Sequence, residues 1–470
     1  MRKVFFASIL MLLLSCNKEI EIYEEIDSEF LAPLELSTSF NGREAFGKKM
    51  KILNTLIEDA SFARGNTLFH TAWVSAPAST TGLDGLGPTF NANRCDICHP
   101  KDGRGFPITP DSNSSRGFLM RLSRPGTNPN GSPLHLEGFG DQFQTQSLLN
   151  IPNEGSISVS YEMISGTYDD GTNYTLQKPI YRISENPMFG SLEGALTSPR
   201  VGNQLIGLGL IDATTEEEIL KNEDINDIDR DGISGKANYI LDVASENLKI
   251  GKFGWKANQP SLRQQIAAAF HGDMGLTSDL FSEDNCPSPQ KDCFDAPNGG
   301  DPNQIEGYKN EITNFQLESI TFYQSHLAVP IRRNFESESV KNGKRIFTDI
   351  NCIACHRTNI TTGNNALSNG LKNVTYHPYS DFLLHDMGEA LADKRPYFKA
   401  NGKEWRTQPL WGIGRIPSVN KHSFFLHDGR ARNIEEAILW HGGESEKSKN
   451  QFKKLSQKER DDLIRFIESL

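Results

Sequence analysis

Positive charge is in short supply in this sequence. Its 470 residues hold 49 Lys and Arg against 60 Asp and Glu, a formal net charge of −11. That sign argues against a nucleic-acid partner. Long apolar runs are scarce as well. The one such run, Val4 to Leu14, follows Arg2 and Lys3 and is too short to span a bilayer. It ends in Leu13-Leu14-Ser15-Cys16, so residues 1–15 read as a bacterial lipoprotein signal, with Cys16 the lipidated residue. A plain secretory signal with a chance cysteine is the alternative. The expectation is an exported bacterial lipoprotein, on the periplasmic side or the outer-membrane surface, held to the membrane by its lipid anchor only. Cysteine is also rare, seven in all, so each can be given a role.

Four of the seven sit in two repeats of one pattern. Asn93-Arg94-Cys95-Asp96-Ile97-Cys98-His99 is answered by Asn351-Cys352-Ile353-Ala354-Cys355-His356. C-x-x-C-H is the attachment pattern of a c-type haem: two thiols add to the two vinyl groups of one porphyrin, and the next histidine supplies the proximal iron ligand. A redox disulfide or half of a zinc site also uses Cys-x-x-Cys. Neither needs a histidine directly after the second cysteine, and here that histidine occurs twice. Two covalently bound c-type haems are therefore expected, with His99 and His356 as iron ligands. Attachment outside the cytoplasm agrees with the export signal. Cys286 and Cys293 remain, and an oxidising compartment favours a disulfide between them over two free thiols.

Periodicity and punctuation divide the rest. Residues 16–38 read as an acidic tether, 39–330 as a first cytochrome c-type haem domain with loop insertions, and 331–470 as a second. The expected fold class is mainly α: two cytochrome c-type haem domains with long loops and small β-hairpin insertions. Phe46, Met50, Leu53 and Ile57 have helical spacing over 43–57. Helices are also expected in the first part of 255–280, over 311–327, around Gly343 and Phe347, and at the C-terminus behind the capping box Ser456-x-x-Glu459. Residues 100–195 are rich in Gly, Ser, Asn and Pro and read as loops with small hairpins. Asp227, Asp229 and Asp231, followed by Gly232, resemble the start of a calcium loop, although Asn238 stands where an EF-hand has its bidentate glutamate. A solvated acidic turn is the competing reading.

Function turns on the sixth position of each iron. His441 shares a helical face with Ile434, Ala437 and Ile438 and is the first candidate; Met387 is its rival. His427 with Arg430 could instead hold a propionate.

Several stretches together carry a resemblance. They are Leu86-Gly87-Pro88-Thr89-Phe90-Asn91, Gly251-Lys252-Phe253-Gly254-Trp255-Lys256, Asp273-Met274-Gly275, His385-Asp386-Met387-Gly388, Leu410-Trp411-Gly412 and the run Phe425 to Gly443. In their order over roughly residues 40–470, the chain resembles bacterial di-haem cytochrome c peroxidases. It is most similar to their relatives called di-haem oxidoreductases or thiol oxidoreductases. The resemblance implies hydrogen peroxide or a small oxidant as substrate. It also implies an electron donor of unknown identity, a small redox protein or a quinol. It implies that Trp255 lies between the haems, that Gln265 orients peroxide, and that Asp273 moves a proton from its near to its far oxygen. Three departures stand out. The pocket acid is Asp, not Glu. The peroxidases hold a histidine after the first haem motif, and the candidate for it here, His135, lies in an unlike context. His441 stands near where the peroxidases place a methionine. The rival readings are a non-enzymatic di-haem electron carrier, and a thiol-oxidising or iron-uptake-associated protein; no reactive free thiol supports the last.

Overall fold

The computed structural model describes residues 30–112, 116–300 and 310–470. The signal over 1–15 and the lipid site at Cys16 lie outside these residues. Ten elements position the site. Helix α1 (Leu56–His70) precedes the first C-x-x-C-H motif. Strand β1 (Phe118–Thr127) follows it, then the hairpin of β2 (Gly155–Thr167) and β3 (Asn173–Glu185), then β4 (Leu196–Val201). Helices α2 (Leu262–Met274) and α3 (Asn314–Ser325) close the first half. Helix α4 (Glu338–Asp349) precedes the second motif, and α5 (Ile434–Trp440) and α6 (Gln457–Ser469) end the chain.

The mainly α expectation is wrong. Only 29% of the described residues are helical and 20% lie in strands, distributed over many small sheets. Most of the strand content comes from the insertion after the first motif. Strand β1 pairs antiparallel with β4 on one edge and with Pro133–Leu134 on the other. The hairpin is no small one: β2 and β3 pair over 13 residues each, from Gly155–Glu185 to Thr167–Asn173. Ile157, Val159, Tyr161 and Met163 alternate with Ser156, Ser158, Ser160 and Glu162, which is the strand period. A separate core of Phe118, Met120, Leu122, Phe139, Phe143, Val159 and Val201 fills this region.

The helix expected over 43–57 is also absent. Phe46, Met50 and Leu53 are buried, yet their segment runs in turns. Its backbone groups bond elsewhere: Met50 N donates to His326 O, Lys51 N to Glu35 O, and Lys48 O accepts from Ala328 N. The helix starts only at Leu56, where Thr55 and Glu58 form a capping box.

Two helix crossings repeat one device. Helix α1 crosses α3 where Gly65 meets Ser319 and Tyr323. Helix α4 crosses α6 where Gly343 meets Asp462 and Phe466. In both, a glycine lets two helix backbones touch; the second crossing lies directly before its C-x-x-C-H motif. The C-terminal helix keeps the capping box expected of it, Ser456 with Glu459. The main core runs from Leu31 to Leu470 and draws on both sides of residue 330. Residues 31–38, assigned to the tether from sequence, are part of it: Leu31 and Leu36 are buried, and Ser37–Thr38 pairs in parallel with Val329–Pro330. Among the described residues no helix is long and apolar enough to cross a membrane.

Candidate functional site

Both motifs open onto one cavity of about 440 Å³. Cys95 and Cys98 form a single helical turn, and His99 N returns to Cys95 O at 3.0 Å. The second motif repeats this closure, His356 N to Cys352 O at 3.1 Å, after Asn351 adopts a left-handed conformation (φ 63°). None of the four thiols is in a disulfide. Burial pushes the Cys95 and Cys352 thiols up to about 12, and those of Cys98 and Cys355 also upward. Burial therefore favours the neutral thiol at each of these positions.

Three histidines on the cavity wall share one arrangement. Nδ1 of His99 donates to Asn203 O at 2.6 Å, Nδ1 of His356 to Tyr379 O at 2.8 Å, and Nδ1 of His441 to Ala437 O at 2.6 Å. A backbone carbonyl only accepts, so each ring carries its proton on Nδ1 and keeps the Nε2 lone pair for a metal. Burial holds all three below the usual histidine range, His356 at about 4. Gly202 backs the first ring: a Cβ there would lie 3.0 Å from His99 Cε1. This donor set, two neutral thiols and one neutral imidazole per motif on a mainly apolar wall, fits two haems.

His441 is not on the helix where sequence spacing put it. Helix α5 ends at Trp440, and His441 is its C-cap. Met387 lines the same cavity, but its sulfur already faces Ser445 Oγ at 3.9 Å. His385, two residues earlier, is clamped between Asp381 (2.8 Å) and Glu444 (2.7 Å), which raises it well above the usual range. Both its nitrogens are engaged. His427 stacks on Trp405 with ring centroids 3.9 Å apart. Arg430 spends its charge on Asp428, through Nε at 3.0 Å and Nη2 at 2.9 Å, so the expected propionate pair is not formed from it.

The three residues marked by the resemblance are brought together here. Gln265, Ala269 and Asp273 stand four apart on α2 and line the cavity. Gln265 Oε1 is buried without a hydrogen-bond partner. Asp273 Oδ1 accepts from Gln142 Nε2 at 2.8 Å. Burial raises its carboxyl above the usual range, against the pull of Arg121 and Gln142. Asp273 in turn helps push the Cys95 and Cys98 thiols upward, which puts it beside the first motif. Trp255 donates Nε1–H to Val201 O at 2.8 Å and sits under the Arg104 guanidinium, 5.3 Å from the ring centroid.

Five arginines line the cavity, none of them marked by sequence reading. Burial lowers Arg104 to about 10 and Arg406 to about 9. Outside the cavity, Asp227, Asp229 and Asp231 gather oxygen atoms within 4.8 Å of one another. Asn238 does not close this group: it is buried, giving Nδ2–H to Lys256 O and accepting from Lys399 N. Cys286 and Cys293 are joined by a disulfide.

No curated protein matches the chain. A hydrazine synthase structure from Kuenenia stuttgartiensis, pressurised with xenon, matches at 21% identity over 34% of this chain and 57% of that one. Its TM-score of 0.23 carries no argument, and this chain spans little more than half of it. Residues 35–470 match the family described as "Di-haem oxidoreductase, putative peroxidase". With two C-x-x-C-H motifs opening onto one cavity and that match spanning nearly the whole chain, the protein belongs to the di-haem oxidoreductase family.

Proposed function

We propose that this protein reduces hydrogen peroxide, or uses it to oxidise a donor, at two c-type haems held covalently by Cys95 and Cys98 and by Cys352 and Cys355. The haem irons supply the redox capacity and a coordination position for peroxide. Hydrogen peroxide takes up two electrons and two protons and leaves as two waters. His99 and His356 are the proximal ligands in this reading. His441 would be the second ligand of the iron at the second motif, because its Nε2 is left for the cavity.

The chain's own work lies on α2. Asp273 takes the proton from one peroxide oxygen and returns it to the other, so that O–O cleavage releases water rather than hydroxide. Gln142 fixes the carboxylate that does this. Gln265 presents an unbonded Oε1 to orient the second O–H. Trp255 carries electrons between the two haems. The donor is of the small redox protein or quinol class.

The observation that carries this reading is that Asp273 and Gln265, two turns apart on one face of α2, both line the cavity onto which the first motif opens. One is a half-buried acid held by Gln142 and the other has a buried, unbonded oxygen, in a mainly apolar cavity. The test is a low-temperature EPR and visible spectrum of the oxidised and half-reduced protein, before and after one equivalent of hydrogen peroxide. A high-spin ferric signal that disappears with peroxide is expected. Two low-spin haems unmoved by peroxide in both states would leave a di-haem electron carrier instead.

A further inference from the structure

The five cavity arginines fall into two groups. Arg94 pairs with Asp96, Arg121 with Asp141 and Arg200 with Asp393, at 2.6, 2.9 and 3.5 Å. Arg104 and Arg406 have no such partner: among the described residues neither forms an ion pair with a carboxylate. Arg104 donates only to neutral acceptors, Phe424 O at 2.8 Å, Asn203 Oδ1 at 3.1 Å and Leu426 O. Arg406 donates from Nε to Gly254 O at 2.9 Å and from Nη2 to Gln408 Oε1 at 2.7 Å; its Nη1 is buried with no partner at all. Their exposures are 4% and 6%. A buried guanidinium without an anion is costly, and natural structures pair such groups. The carboxylates that act on them from farther off are already engaged: Asp428, near Arg104, is paired with Arg430, and Asp381, near Arg406, with His385. A closer anion is left to what fills the cavity.

We infer that Arg104 and Arg406 are the counter-ions of haem propionates. The inference rests on the two-haem reading above. A planar guanidinium matches a carboxylate with two parallel hydrogen bonds, and Nη1 of Arg406 is free for one of them. The two arginines also bracket Trp255. Arg104 lies over its ring, while Arg406 holds the neighbouring backbone, through Gly254 O and through its own N–H to Trp255 O at 2.9 Å. Two uncompensated cations at these places would oppose oxidation of the indole. Propionates neutralise them, so the same contacts that seat the porphyrins keep Trp255 usable as an electron relay.

The test uses the intact holoprotein and needs no turnover. Spectroelectrochemical titration of wild type, Arg406→Gln, Arg406→Lys and Arg104→Gln gives each haem's potential, and a pyridine haemochrome assay gives the haem count. With two haems present, Arg406→Gln should lower one potential by at least tenfold in the reduced-to-oxidised equilibrium, about 59 mV for one electron. It should also make that potential depend on pH, because the unpaired propionate now titrates. Arg406→Lys should restore most of the shift. Arg104→Gln should show the same signature. Two haems with unchanged potentials in both Gln variants would overturn the assignment and leave the peroxidase reading standing. A haem count of zero in wild type would sink both. If a variant fails to fold, resonance Raman of the wild type still decides: propionate-bending bands of strongly hydrogen-bonded carboxylates support the inference, and bands of free ones overturn it. Wild-type potentials that move only when phosphate is added would give the two arginines to a free anion, which also overturns it.

Discussion

Asp273 reaches its position through partners that are distant in sequence. Gln142 and Arg121 lie 131 and 152 residues before it, and both draw the carboxyl toward its charged form against the effect of burial. Burial is the larger influence, so the acid titrates above the ordinary aspartate range. In the proposed role of a base, it must be ionised. The acidic limb of kcat/KM for peroxide should therefore lie above the usual aspartate pKa: activity is full at higher pH and is lost as pH falls through the raised value. Asp273→Asn should lower kcat by roughly 10²–10⁴-fold and abolish that limb, with haem content unchanged. Retention of wild-type kcat and pH profile by Asp273→Asn would remove the residue from the chemistry. At this scale the sequence is most legible where chemistry fixes spacing. The C-x-x-C-H motifs and the order Trp255, Gln265, Asp273 can be read from the chain. Gln142, Arg104 and Arg406 cannot, because single polar residues acquire meaning only when folding brings them to a wall.

Helices are legible where a cap or an apolar face marks them, and misleading where spacing alone does. Phe46, Met50 and Leu53 mimic a helix because each is buried, but burial in a turn gives the same pattern by coincidence. The capping box at Thr55 and Glu58 was the better signal. Nothing in the pattern of apolar residues reveals that Gly65 and Gly343 are contact points. A Cβ at Gly343 would sit 2.0 Å from Asp462 O, and at Gly65 2.1 Å from Ser319 O. Neither backbone carbonyl can yield without parting the helices. Gly343→Ala should therefore cost about 1–3 kcal/mol or more through overpacking. Because α4 leads directly into Cys352, it should also alter the absorption spectrum of the second haem and not the first. Chemical denaturation followed at the haem bands checks both effects, and an unchanged midpoint would show that the crossing tolerates separation.

The hairpin governs the molecule as a whole, and it is also where the expected fold class failed. It rises from the sheet around β1 and reaches the last helices of the chain. At its tip, Tyr168 gives its hydroxyl hydrogen to Glu435 at 2.6 Å and lies under Arg460, 3.9 Å from the ring centroid. Arg460 also meets Asp170 at 2.9 Å. Tyr168 belongs to the main core and packs against Phe452. Tyr168→Ala should cost about 3–5 kcal/mol, the usual result of deleting a buried aromatic side chain. If the tip fastens the two halves to each other, that loss appears in both halves as one lowered unfolding midpoint. Two separate transitions, with only one displaced, would show that the halves are independent. The alternation that builds the hairpin is visible in the sequence, but its destination 267 residues further on is not. The same long reach closes the cavity beside the first motif, where Arg104 bonds Phe424 O and Leu426 O, 320 and 322 residues downstream. This has a consequence in time. Ribosomes deliver the N-terminus first, so Cys95 and Cys98 wait as an open segment until the final fifth of the chain has been made. The chain seals the cavity beside the first motif only after the second motif has also appeared, so any group destined for the first motif has the whole of that interval in which to enter.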